Sequence, residues 1–162
     1  APWDIPPVTG QGMPCTGGAD AYLRCLLQEI LPEAERAVRG RVPWRGIAGY
    51  SLGGLFALYA LCRSDCFARA ASMSGSLWFP NFSAYIQAHG MQNHPSHVYF
   101  SLGSKESKAR NRYLRTGRQN TEAIEAFYRS QGVDTALAIH PGGHNQDVPA
   151  RIAAGLAWLL QR

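Results

Sequence analysis

One short stretch restricts the fold more than any other: Gly49-Tyr50-Ser51-Leu52-Gly53, with Gly54 following. Before it, Trp44-Arg45-Gly46-Ile47-Ala48-Gly49 reads as a short strand. After it, Leu52 to Cys62 reads as a helix that is apolar nearly all round, with Leu55, Phe56, Leu58, Tyr59 and Leu61, and such a helix is expected to be buried against a sheet. A strand that turns into a helix over so few residues brings two backbones almost into contact. Gly49 and Gly53 are therefore expected to need bare Cα atoms, and Ser51 to sit on a backbone too tight for an ordinary residue.

The rest of the chain repeats this alternation. A helix is predicted over about Ala19 to Val38, with an apolar stripe of Leu23, Leu26, Leu27, Ile30 and Leu31, Asp20 in its first turn, and Pro32 kinking or splitting it. Further strands are predicted at Arg69–Met73, His97–Leu102 and Ala136–His140, and further helices at Phe82–Ala88, Thr121–Gln131 and Val148–Gln161. Strand and helix in alternation predict an α/β fold: a mostly parallel sheet with helices on both faces. No second domain boundary is visible. Residues 1–162 read as a single domain, with an irregular, Pro/Gly-rich lead-in over 1–18.

Composition narrows the possible partners. Hydrophobic residues make up 46% and charged residues 17%, a globular balance. The formal charge of +5 first suggests nucleic acid. However, the basic residues form no dense tract with interleaved aromatics, and nucleic acid is not an expected partner. The mild loading at Lys105, Lys108, Arg110, Arg112, Arg115 and Arg118 reads first as a solvated loop and helix start, and second as a positive lip for an anionic substrate. No run is long and apolar enough for a membrane span, and no signal segment is present. The four cysteines, Cys15, Cys25, Cys62 and Cys66, match no metal knuckle, so reduced thiols and a cytoplasmic setting are expected. No metal site is expected. The chain opens at Ala1 rather than Met and reads as a processed product or a piece of a longer chain.

The stretch around Ser51 fits G-x-S-x-G, in which a serine hydroxyl is exposed on a strand-to-helix turn. The helix start behind it supplies unbonded N–H groups and the positive end of a dipole, which aims the Leu52 N–H at a developing oxyanion. The bland alternative is a serine that merely caps the helix. A hydroxyl nucleophile needs a base. Of five histidines, His144 lies in Pro141-Gly142-Gly143-His144-Asn145, the loop after the last strand. Loops at the carboxyl ends of parallel strands gather at one edge of the sheet, where Ser51 also lies. His140 is the runner-up, and His89, His94 and His97 read as surface residues. Chain order serine, acid, histidine puts the acid after a strand between the two. Glu106 fits best, ahead of Glu122, Glu125 and Asp134, while Asp147 falls after the histidine. Glu106 has a rival role as a partner of Lys105, Lys108 or a nearby arginine, and a Ser–His dyad stays open. Ser74-Gly75-Ser76-Leu77-Trp78-Phe79 follows the second strand, so Trp78 and Phe79 are candidate substrate contacts, with aromatic packing as the equally weighted plain reading, and Tyr50 beside Ser51 is a further candidate contact.

Three segments in this order carry a family resemblance: Gly-Tyr-Ser-Leu-Gly-Gly-Leu-Phe-Ala-Leu-Tyr-Ala at 49–60, Ser-Gly-Ser-Leu-Trp-Phe at 74–79 and Gly-Gly-His-Asn at 142–145. From about Gly17 onward the chain resembles the esterase branch of the α/β-hydrolases that includes the enterochelin-type siderophore esterases and the esterase D group. The resemblance implies ester hydrolysis, a Ser–His core at Ser51 and His144, and no metal or organic cofactor. Members of that branch begin with several strands before this region, and those strands carry the second oxyanion donor. Nothing in 1–18 substitutes for them. The expectation is an α/β-hydrolase-like sheet lacking its N-terminal strands, with an exposed edge open to self-association or to a missing N-terminal portion.

These readings converge on a serine hydrolase acting on a small-molecule ester through an acyl-enzyme, with a siderophore trilactone as first substrate and simple acyl esters next. Two alternatives stand beside it. One is acyl transfer at the same Ser–His site. The other is a non-catalytic or incomplete module that requires a partner.

Overall fold

A computed structural model describes residues 17–108 and 112–161 of the chain. Residues 1–16 of the lead-in, including Cys15, lie outside the described residues, as does Arg110. The chain divides into two compact units, residues 1–44 and 45–162.

In the first unit, α1 (Ala19–Cys25) passes through a single π turn (Leu26–Ile30) into α2 (Leu31–Arg36). Pro32 near the start of α2 has no N–H to give, and in a regular α-helix its ring would press on the carbonyl of Gln28. Widening the preceding turn relieves that clash, so the predicted helix is split at the proline by a π turn.

The second unit runs β1 (Gly46–Tyr50), α3 (Leu52–Arg63), β2 (Arg69–Met73), α4 (Phe82–His89), β3 (His97–Gly103), a 3-10 turn (Glu106–Lys108), α5 (Arg112–Arg115), α6 (Gly117–Ser130), β4 (Asp134–His140) and α7 (Val148–Leu160). All strand pairings are parallel and the order is β1-β2-β3-β4. Each crossover therefore steps in the same direction along the sheet. Crossovers of one hand that step one way must all lie on one face. This is observed: α3 packs on β1 and β2, α6 on β3 and β4, and α4 touches both helices. The chain leaves β4 and returns over the opposite face as α7, which lies across β1, β2 and β3. Helices on both faces of a parallel sheet are what the alternating pattern predicts.

Pleat parity divides the core accordingly. Ser72 and Phe100 are register partners facing α3 and α6, where Phe100 meets Tyr128 with ring centroids 6.0 Å apart. Ala71, Met73 and Tyr99 face the other way and pack with Leu159 and Trp158 of α7. α3 is buried as its composition requires, with Ala57, Leu58, Ala60 and Leu61 at most 1% exposed. Each large side chain buried in this way contributes about 1.5–3 kcal/mol. Cys62 shares that burial, and its thiol is pushed up to about 12 by desolvation, outweighing the Arg63 charge that pulls it down. Cys25, Cys62 and Cys66 form no disulfide. No helix among the described residues is long and apolar enough to cross a membrane.

Candidate active site

Four loops at the carboxyl ends of the four strands meet at one edge of the sheet. Tyr50 and Met73 are register partners at the ends of β1 and β2, so Ser51 and Ser74 follow side by side. β3 and β4 extend further, Gly103 pairing with His140, and the loops carrying Glu106 and His144 begin just beyond. Backbone bonds from Ser104 N–H to the His140 carbonyl (2.8 Å) and from Lys105 N–H to the Gly142 carbonyl (2.9 Å) tie those two loops together.

Ser51 has φ 56° and ψ −119°, in the left-handed half of backbone space where non-glycine residues are strained. Its surroundings hold it there. Ser51 N–H donates to the Met73 carbonyl at 3.1 Å, and the Ser51 carbonyl accepts from the N–H groups of Gly54, Leu55 and Ser76 at 3.0, 3.2 and 3.0 Å. A Cβ on Gly49 would lie 2.2 Å from the carbonyl carbon and oxygen of Gly53, so a bare Cα is obligatory at 49. A Cβ on Gly53 would meet nothing within 4 Å, contrary to the sequence-based expectation that both glycines are sterically required. The second crowded position is Gly54, whose added Cβ would stand 2.9 Å from the Gly75 Cα. The close contact is one-sided because Gly53 points its free side to solvent at the helix start while Gly54 faces the sheet.

His144 Nε2 lies 3.0 Å from Ser51 Oγ, and His144 Nδ1 lies 2.9 Å from Glu106 Oε2. An ionised carboxylate only accepts, so the proton between them belongs to Nδ1, which leaves Nε2 as acceptor for the Ser51 hydroxyl. The other Glu106 oxygen, Oε1, accepts from Gly103 N–H at 2.6 Å, Ser74 Oγ at 2.9 Å and Arg151 Nη1 at 3.2 Å. Burial by itself would raise the Glu106 pKa. Hydrogen bonds from His144, the Gly103 N–H and Ser74, with the charge on His144, outweigh it and hold the carboxyl below its ordinary value. Hydrogen-bonded in this way, Glu106 is a carboxylate at neutral pH, oriented toward the imidazole.

The other candidates fall as follows. Leu52 opens α3, is 58% exposed, and its N–H finds no acceptor among the described residues. The Tyr50 hydroxyl donates to the His144 carbonyl at 2.6 Å, and its ring packs against the α7 side of the core. Trp78 is half-buried, while Phe79 is buried at 7% exposed and stands behind it at a ring distance of 6.4 Å. Lys105, Lys108 and Arg115 are exposed, and Arg118 pairs with Glu122 at 2.8 Å. His140 faces Tyr99, not Ser51. His89 and His94 bond backbone carbonyls, and His97 faces Asp134. No group of three or more His, Cys, Asp or Glu among the described residues is arranged to hold a metal ion.

Three participants were not singled out from the sequence. Ser76 Oγ stands 3.4 Å from Ser51 Oγ. Ser74, at φ 44°, turns its hydroxyl onto Glu106. Arg151 is 1% exposed and reaches Glu106, Ser74, Tyr50 and the carbonyls of Pro141 and Gly143. The sequence does carry a signal for Arg151, which is the sole charge in α7, Val-Pro-Ala-Arg-Ile-Ala-Ala-Gly-Leu-Ala-Trp-Leu-Leu.

The family described as "Putative esterase" matches residues 1–148. The ferri-bacillibactin esterase BesA of Bacillus subtilis (strain 168) is 26% identical over 159 residues, covering 93% of this chain and 55% of the relative. A siderophore enterobactin esterase of Emericella nidulans is 33% identical over 141 residues, covering 78% of this chain and 44% of the relative. The chain thus spans about half the length of these curated relatives. In fold it is similar to the siderophore hydrolase EstA from Aspergillus nidulans, with a TM-score of 0.70 at 24% identity over 98% of this chain and 65% of that one.

Proposed function

Because this chain belongs to the "Putative esterase" family, we propose that it hydrolyses carboxylic esters by way of an acyl-enzyme on Ser51 Oγ. The observation that carries this reading is the relay from Ser51 Oγ through His144 to Glu106, with its two contacts of 3.0 and 2.9 Å.

In the first half-reaction Ser51 Oγ attacks the ester carbonyl carbon and its proton passes to His144 Nε2. Glu106 stabilises the imidazolium and holds its ring in place. The carbonyl oxygen becomes an oxyanion facing the Leu52 N–H at the positive end of α3. The ester C–O bond then breaks and His144 gives its proton to the leaving alcohol. In the second half-reaction water attacks the acyl carbon and yields a proton to His144. Ser51 Oγ leaves, recovers that proton, and the carboxylic acid is released.

The substrate class we infer is a siderophore lactone. The names of the two relatives support it, and Trp78 offers an aromatic wall two residues beyond Ser76. The test is labelling of the intact chain with a fluorophosphonate, followed by assay of p-nitrophenyl esters against siderophore trilactones. Labelling at Ser51 that vanishes in Ser51→Ala, with turnover of the lactone, supports the proposal. A folded chain that takes no label overturns it.

A further inference from the structure

Arg151 has no part in the half-reactions above, yet it is the most deeply buried charge near them, at 1% side-chain exposure. Stability alone does not account for it. It stands in the first turns of α7, where its charge opposes the helix dipole. A buried ion pair is commonly no more stabilising than an apolar replacement of similar volume. Its Nε lacks a partner among the described residues.

The arrangement around the two terminal nitrogens is specific. Nη1 reaches Ser74 Oγ at 3.0 Å, Glu106 Oε1 at 3.2 Å and Tyr50 Oη at 3.3 Å. Nη2 donates to the Gly143 carbonyl at 2.9 Å and the Pro141 carbonyl at 3.0 Å. One nitrogen therefore holds the acid and the other holds the loop that carries His144. The geometry follows from the helix: side chains lean toward the N-terminus, so a residue one turn into α7 points back over the loop that precedes it.

We propose, resting on the acyl-enzyme reading, that Arg151 is the positioning residue of this site: its guanidinium clamps Glu106 Oε1 to the backbone of the histidine loop, so that Oε2 is the oxygen left to His144. The planar fork is what allows one side chain to serve both sides. A lysine ammonium is a compact point charge and cannot span them.

The test uses the full chain and the second-order rate of fluorophosphonate labelling at Ser51. It compares wild type, Ser51→Ala, Glu106→Gln, Arg151→Lys, Arg151→Gln and the double variant Glu106→Gln/Arg151→Lys, with thermal unfolding as the control for folding. Misplacing a reacting group by about 1 Å costs on the order of 100-fold. Arg151→Lys is accordingly expected to fold and to label at least about tenfold more slowly. In the Glu106→Gln background the same change is expected to cost less than about threefold, because the group it positions is already lost. The proposal is overturned if folded Arg151→Lys labels at the wild-type rate, or if the two losses multiply. Should neither Arg151 variant fold, the residue is structural and the positioning role is wrong. A wild-type chain that takes no label removes the acyl-enzyme reading and the clamp with it, an outcome distinct from normal labelling that is indifferent to Arg151.

Discussion

The hydroxyl of Tyr50 donates a 2.6 Å hydrogen bond to the backbone carbonyl of His144. The residue immediately before the candidate nucleophile thus anchors the residue proposed as its base, across 94 positions of sequence. Tyr50→Phe keeps the ring in its cluster with Ala71, Met73, Tyr99 and Leu159 and removes this tether together with the longer, 3.3 Å bond that the hydroxyl accepts from Arg151 Nη1. The expected cost is about 1 kcal/mol of stability, read as a fall in Tm of about 2–4 °C. A several-fold lower kcat with KM unchanged should accompany it. A raised KM at unchanged Tm would instead assign Tyr50 to substrate contact.

The two glycines of the Ser51 motif are not equivalent, and that difference is measurable. Alanine at 49 would drive its Cβ to 2.2 Å from the backbone of Gly53. Neither side of that contact is a flexible side chain. Gly49→Ala should cost upwards of about 4 kcal/mol, the range of severe backbone and packing defects, and should fail to give a cooperatively folded chain. Alanine at 53 meets nothing within 4 Å in the first turn of α3. Gly53→Ala should be neutral or stabilising by about 0.4–1 kcal/mol, through the unfolded state. Parallel thermal melts of the two variants check this. Equal losses would mean that the motif's glycines are matched in role.

Much of this arrangement was legible in the sequence because it depends on local signals. The apolar run of α3 and the strand at Arg69–Met73 declare themselves through periodicity and length. The rule that loops after parallel strands converge puts Ser51 and His144 at one edge, and chain order ranks Glu106 ahead of the other acids while leaving a Ser–His dyad open. What was missed depends on tertiary contacts. α6 begins at Gly117, four residues before the predicted start at Thr121, because Asn120 bonds the Leu77 carbonyl and Gly117 packs under Trp78. Neither partner is visible from a local stretch reading Gly-Arg-Gln-Asn. The short turns Glu106–Lys108 and Arg112–Arg115 lie in a charged stretch that has no apolar period to read. The sequence marks Arg151 only as the sole charge of α7 and says nothing of what it meets. Only the three-dimensional fold brings a carboxylate and two loop carbonyls over it.

The state of Glu106 makes a prediction about pH that separates a working acid from a bystander. Burial works to raise its pKa, but hydrogen bonds from His144, the Gly103 N–H and Ser74 prevail, and the folded value lies below the ordinary 4.5. The unfolded chain therefore takes up this proton at a higher pH than the folded chain does. It follows that the carboxylate's contribution to stability is complete above the ordinary value and is lost as pH falls from there through the folded value. Glu106→Gln has no such proton to bind. The Tm difference between wild type and Glu106→Gln should thus close as the pH falls below the neighbourhood of 4.5. A difference that stays level or widens there would contradict the hydrogen-bonded carboxylate. Activity gives the second readout. Glutamine can present an N–H to His144 Nδ1 and favour the wrong tautomer, so kcat should fall by about 100- to 10,000-fold, as when the acid of a Ser-His-Asp site is made an amide. A loss below about tenfold would instead support a Ser51–His144 dyad in which Glu106 only braces the loop.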